Sequence, residues 1–180
     1  MIIRPARIEE AAGIARVQTD SWRSTYKGIV PDDYLASMSY EERTQGWRTG
    51  LSSPTRIAYD FVAEDDTGQI IGFISGGPVR EHDPVYKGEL YAIYLLQEWQ
   101  GRGIGRRLTA ALVEKLLQAG IDSMLVRVLA ENPARKFYEA LGGQLLKAKP
   151  IEIGGATLDE VAYGWTDIRV IQVDRSKDIL

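Results

Sequence analysis

The chain contains no cysteine among its 180 residues, which excludes disulfides, thiolate nucleophiles and zinc-thiolate centres. It has a single histidine, His82, so no site that needs two imidazoles can form, and no metal is expected. No apolar run is longer than Leu90 to Leu96, far short of the ~20 residues that span a bilayer. Residues 1–5 also lack the basic-then-apolar layout of an export signal. The expectation is a cytoplasmic protein with no membrane partner. Charge of one sign is scarce too: 22 Lys and Arg against 25 Asp and Glu leave a net charge of −3. No global field draws in nucleic acid, and any anion must be held locally.

What is present suits one folded unit. Apolar residues make up 44% and charged residues 26%, enough to bury a core without the imbalance that keeps chains disordered. No repeat or Pro/Ser-rich linker divides the chain, so residues 1–180 read as one domain with a C-terminal tail over 166–180. Ile2 to Pro5 predicts a strand. Ile8, Ala11, Ala12, Ala15, Trp22 and Tyr26 share a helical face. Pro31 to Met38 predicts a short helical turn, and Ser39, three residues ahead of Glu42, predicts a capped helix to about Leu51. Arg56 to Glu64 and Ile70 to Ser75 form a hairpin across Asp65 to Gly68. Glu89 to Leu96 is nearly continuous apolar, the pattern of a central strand covered on both faces.

A helix over Ile104 to Ala119, a buried strand over Met124 to Leu129 and a helix capped by Asn132-Pro133 follow. Gln144 to Ile153 and Thr157 to Trp165 make a second hairpin. The fold class expected is α/β (α+β), a mixed sheet with helices on both faces.

The chemistry-bearing segment is Gln100-Gly101-Arg102-Gly103-Ile104-Gly105-Arg106-Arg107, between a buried strand and an amphipathic helix. Glycines admit a ligand close to the backbone, and the first amides of a helix have no internal partner, so the segment can hold phosphate oxygens. A plain strand-to-helix turn is the competing reading. A Walker loop would need Gly-Lys-Ser/Thr, which is absent. A dinucleotide fingerprint would need glycines spaced x then xx, whereas these alternate.

Gln100-x-x-Gly103-x-Gly105, together with Asn132-Pro133-Ala134-x-x-Phe137-Tyr138-x-x-Leu141-Gly142, resembles the Gcn5-related N-acetyltransferase (GNAT) superfamily. Ser21-Trp22-x-x-x-Tyr26-x-Gly28 and Pro31-x-x-Tyr34-Leu35 resemble a broad bacterial branch of it. The resemblance implies a sheet of about six to seven strands and an acetyl-CoA-dependent N-acetyltransferase acting on a small-molecule amine or a protein amino group. It implies that the strand Leu90 to Leu96 splays from Met124 to Leu129. The Ile93 amide would then polarise the thioester carbonyl, and Leu95 would bond the pantetheine arm.

By the same resemblance Gln100, Gly101, Arg102, Gly103, Gly105 and Arg106 cradle the pyrophosphate, with Asn132 also touching CoA. The side chain of Arg107 adds charge there, or is merely solvated. Tyr138 stands where the family carries its general acid; packing beside Phe137 is the bland alternative. Glu89, eleven residues before Gln100, has the spacing of the family's histone acetyltransferase base, or is a solvated strand-edge residue. Trp22 and Tyr26 offer aromatic faces to a cationic amine, though Trp22 also suits a core position. His82 reads as a surface residue. A non-catalytic acetyl-CoA sensor and a nucleotide-binding domain are the rival readings. A homodimer exchanging the tail Val170 to Leu180 is compatible with the family.

Overall fold

A computed structural model describes residues 1–171. It contains strands β1 (Ile2–Pro5), β2 (Tyr59–Glu64), β3 (Ile70–Pro78), β4 (Gly88–Leu95), β5 (Met124–Leu129), β6 (Gln144–Ile153) and β7 (Ala156–Trp165). Helices are α1 (Ala11–Thr25), α2 (Asp32–Ser37), α3 (Tyr40–Ser52), α4 (Ile104–Gln118) and α5 (Arg135–Ala140). The strands form one sheet in the order β1-β2-β3-β4-β5-β7-β6, antiparallel throughout except at β4–β5.

Local signals account for most element ends. The Ser39 hydroxyl accepts from the Glu42 amide at 3.2 Å and starts α3, as its spacing predicts. The Asp65 carboxylate accepts from the amides of Thr67 and Gln69 and fixes the β2–β3 turn. At α5 the expectation needs correction. Asn132 Oδ1 accepts from the Ala134 amide at 2.8 Å, but the amides of Arg135 and Lys136 bond to carbonyls three residues back. The first turn is wound tighter than an α-helix, so regular helix begins at Arg135.

Helix α4 lies across β1 to β4 on one face, and α1 with α3 covers the other. Leu108, Leu112 and Leu116 are fully buried from α4, and Ile14, Val17 and Phe73 fill the second layer. The start of the expected tail belongs to this core. Ile168 and Ile171 are buried, and the Ile168 amide donates to the Asp122 carbonyl at 2.8 Å. Residues 172–180, and with them most of the exchange expected of the tail, lie outside the described residues.

Strand β4 is central, but only its first half is covered on both faces. Gly88, Glu89 and Leu90 pair with Met124, Leu125 and Val126, and the β4–β5 ladder ends there. On the other side β4 stays paired with β3 to Gly72↔Leu95, with a register shift that leaves Tyr91 as an extra residue between Leu90 and Ala92. A bulge of this kind bends its strand, here away from β5. Tyr91 to Leu95 are consequently half-buried rather than buried.

Replacing Leu112, which is 0% exposed between α4 and the sheet, by alanine should lower stability by about 2–5 kcal/mol. Urea denaturation measures it; a loss below about 1 kcal/mol would mean that α4 is not the main cover of the sheet.

Candidate active site

A cleft of about 520 Å³ runs through the gap between β4 and β5. Its walls come from β4 (Leu90 to Leu95), β5 (Val126 to Val128), α1 (Ser21, Thr25, Tyr26), the start of α4, and the turn and helix Asn132 to Tyr138. The Leu96 amide donates to the Ile71 carbonyl on β3. Amide direction alternates along a strand, so the amides of Ile93 and Leu95 point the other way, into the gap. The Leu95 carbonyl there accepts from Gln100 Nε2 at 3.1 Å and Ser21 Oγ at 3.4 Å.

The glycine segment closes one end. Gly103 has φ +79° and stands at the N-cap of α4, a left-handed conformation that side chains with a Cβ rarely adopt. A Cβ built at Gly101 or Gly103 would meet nothing within 4 Å, whereas one at Gly105 would touch the Phe137 ring at 3.4 Å. The amides of Ile104, Gly105 and Arg106 open a 15-residue helix and lack intrahelical acceptors. Gln100, Gly101, Gly103, Gly105, Arg106 and Asn132 all line the cleft, as do Ile93 and Leu95. Arg102 does not: its guanidinium lies 4.9 Å above the Trp99 ring. Arg106 Nη2 reaches the Ala140 carbonyl at 3.4 Å, and Arg107 Nη1 lies 3.9 Å from Met1 Sδ.

Three phenols converge opposite that end. Tyr138 is buried at the cleft wall, and its hydroxyl makes no hydrogen bond among the described residues. Burial pushes its pKa well above the usual 10, so the group stays protonated. Burial likewise raises Tyr94 and Tyr26. The direction of the surrounding bonds follows from chemistry. The Ala134 amide fixes Asn132 Oδ1 as an acceptor, so Asn132 Nδ2 donates to Tyr26 Oη at 3.0 Å. Indole nitrogen only donates, so Trp22 Nε1 gives to Tyr94 Oη at 2.9 Å. Tyr26 Oη therefore receives the Asn132 bond at the cleft wall.

Trp22 does not line the cleft: it is half-buried, tilted against Tyr26 at 4.6 Å, and the Arg43 guanidinium lies 5.7 Å from its ring. A cation already occupies the aromatic surface expected to hold an amine.

Glu89 is neither a solvated edge residue nor an accessible base. It is 1% exposed. Its Oε1 accepts from Arg80 Nη2 at 2.5 Å and its Oε2 from the Arg80 amide at 3.1 Å, with Arg127 Nε at 3.7 Å. Both oxygens are committed to cations or amides, and Glu89 does not reach the cleft lining. His82 is exposed on the β3–β4 connection. Tyr91, Tyr94 and Arg127 line the cleft without having been singled out by sequence. Polar residues inside two otherwise apolar strands were the available signal. Among the described residues no three His, Asp or Glu side chains gather as a metal site, and no helix is long and apolar enough to cross a membrane.

Residues 16–143 match the acetyltransferase (GNAT) family. The N-acetyltransferase YuaI of Bacillus subtilis strain 168, itself uncharacterised, is 42% identical over 170 residues, 94% of this chain and 95% of that one. The chain belongs to the GNAT family and is an acetyltransferase. The fold agrees with solved structures. PaiA N-acetyltransferase of Thermoplasma acidophilum, in complex with coenzyme A, is 23% identical over 89% of this chain and 96% of its own, with a TM-score of 0.65. The Salmonella typhimurium protein yncA, solved with acetyl-CoA, is 20% identical over 92% of each chain, with a TM-score of 0.68.

The buried phenols predict an alkaline limit. Tyr26, Tyr94 and Tyr138 hold their protons more tightly folded than unfolded, so their contribution is full below pH ~10 and is lost as pH rises further. Urea midpoints should fall above pH ~10, and Tyr138→Phe should make that fall shallower by up to about 1.4 kcal/mol per pH unit. Parallel pH profiles for the two proteins would place the Tyr138 phenol in water.

Proposed function

We propose that the enzyme moves the acetyl group of acetyl-CoA directly to a primary amine, with no acyl-enzyme intermediate. The observation that carries this reading is the gap between β4 and β5, which opens at one end on the bare amides of α4 and at the other on the protonated Tyr138 phenol. A thioester lying in it would have its pyrophosphate against Gln100 to Arg106, with Asn132 beside it, and its sulfur near Tyr138. Leu95 would bond the pantetheine arm, and the Ile93 amide would face the thioester oxygen as charge develops on it.

The amine nitrogen attacks the thioester carbon, the C–S bond breaks, and Tyr138 gives its proton to the departing thiolate and then takes one back from water, which has received the amine's proton. Tyr26, held by Asn132, lines the same cleft. Because both Glu89 oxygens are engaged by Arg80, Glu89 acts as an anchor, and the proton of the amine leaves to water. Direct transfer is favoured by what the cleft lacks: its aliphatic hydroxyls, Ser21 and Thr25, have no imidazole beside them, since His82 is not in the lining, and the chain has no thiol.

Gly103→Val should lose acetyl-CoA binding by at least about tenfold, because a branched side chain would stand between the helix amides and the phosphates. It should remain folded, with stability lowered by about 1–3 kcal/mol from a valine at positive φ. Calorimetry tests this; a folded variant with unchanged affinity removes the phosphate site from this turn.

Tyr138→Phe should reduce kcat by ~10² to 10⁴ while leaving acetyl-CoA affinity within about tenfold. A thioester whose thiol has a lower pKa should recover much of the lost rate. Free-thiol release across a panel of amines is the assay, and a parent-like kcat with thiol release rate-limiting would end the acid role.

A further inference from the structure

Beside the cleft lies a charged cluster that acetyl transfer leaves unused. Arg127 is the first β5 residue past the last β4–β5 pair, Leu90↔Val126, and it lines the cleft where the strands part. Its Nε is 3.7 Å from Glu89 Oε1 and its Nη2 is 3.1 Å from Glu81 Oε2. Lys149 of β6 brings Nζ to 3.9 Å from that same Glu81 oxygen and 3.8 Å from Glu160.

The two carboxylates on Arg127 differ in kind. Glu89 is built into β4 and held from behind by the Arg80 side chain and amide. It approaches Arg127 as an ion pair without a hydrogen bond. Glu81 is 69% exposed, sits on the β3–β4 connection, and meets only Arg127 and Lys149 among the described residues. An exposed pair of this sort is weak, and an incoming anion can displace it. With Glu81 turned out to water, Arg127 and Lys149 lose the carboxylate they share and keep Glu89 and Glu160, with Asp83 nearby, as their acidic neighbours.

We propose that the oxygen position held by Glu81 is the subsite for a carboxylate on the acceptor: the substrate is a small amine that also carries a carboxylate, anchored by Arg127 and Lys149, with Glu81 as a built-in competitor. This rests on the acetyl-transfer reading above. A planar guanidinium matches a carboxylate through two parallel N–H donors, and the ammonium of Lys149 adds a second cation from another strand. Because Arg127 sits where β4 and β5 separate, a short molecule held there by its carboxylate presents its amine to the gap, one or a few bonds away. Glu81 keeps the cations paired while no acceptor is bound, and must leave for one to bind. Removing it should therefore help an anionic acceptor and do nothing for a neutral analogue, the opposite of what removing either cation does.

The test measures transfer from acetyl-CoA to α-amino acids, to their carboxamides and to simple diamines, in the parent, Glu81→Gln, Arg127→Gln and Lys149→Gln proteins. The readout is the ratio of kcat/KM for an amino acid to that for its carboxamide. Comparing this ratio between proteins cancels the different basicities of the two amines. It should fall about tenfold or more in Arg127→Gln, fall by less in Lys149→Gln, and rise about threefold in Glu81→Gln, each change residing mainly in KM. Lys149 is half exposed, so its variant keeps the test decisive even where Arg127→Gln fails to fold. Ratios within about twofold of the parent in Glu81→Gln and Lys149→Gln overturn the subsite. So does transfer to diamines or carboxamides with none to any amino acid. Absence of thiol release with every amine overturns the acetyl-transfer reading itself, so the two failures are told apart.

Discussion

Backbone amides and carbonyls inside a fold need partners, and the site exists because one stretch of central strand is denied them. β4 and β5 share three register pairs and then part. β4 stays rigid, because its ladder with β3 continues to Leu95. The result is a fixed strand edge that faces an opening instead of a neighbour. An extended, amide-bearing arm completes such an edge as another strand would, without any side chain having to recognise it. The start of α4 is a second group of unsatisfied amides at the end of the same opening. One long ligand with an amide-rich arm and an anionic head would meet both deficits together.

Holding the strands apart is work shared by several interactions. The extra residue at Tyr91 bends β4. Across the gap, the Trp22–Tyr94 bond ties α1 to β4, and the Asn132–Tyr26 bond ties the end of α1 to the turn into α5. At the closed end Glu89 is buried, and a buried carboxylate is tolerable only with its charge matched and its lone pairs engaged. Arg80 does both, and Arg127 approaches from β5. That pairing argues against Glu89 as a base more strongly than its sequence spacing argues for it. A base must have a lone pair facing the substrate, and both oxygens here are turned to cations and an amide.

What could be read in the sequence was local. The Ser39 cap, the glycines at both ends of α4, the Asp65 turn and the two hairpins are each decided by a few neighbouring residues, and they agree with the structure. That the glycine turn and Tyr138 would lie at one cleft was legible for the same reason, since strand, turn, helix and spacing sit in one continuous stretch. The rest depended on pairings across the fold. No local pattern says that Arg80 will meet Glu89, that Arg43 will cover Trp22, or that Glu81 will bridge Arg127 and Lys149 from a loop and two separate strands. The near-continuous apolar run of β4 was misread in its second half because apolar residues facing a cleft and those facing a core look alike in sequence.

The burial that keeps Tyr138 protonated also makes it a reluctant donor. Desolvation raises its pKa well beyond 10, whereas a thiol titrates near roughly 8.5, so passing the proton to a free thiolate would run uphill. In the proposed transfer two features offset that cost. The proton would move while the C–S bond is breaking, so no free thiolate has to accumulate first. The second feature is another phenol on the same wall: Tyr26 Oη accepts from Asn132 Nδ2 at 3.0 Å and lines the cleft with Tyr138. A hydrogen bond from Tyr26 to the Tyr138 oxygen would stabilise the charge left there once the proton has gone, which lowers the cost that burial imposes on the donor.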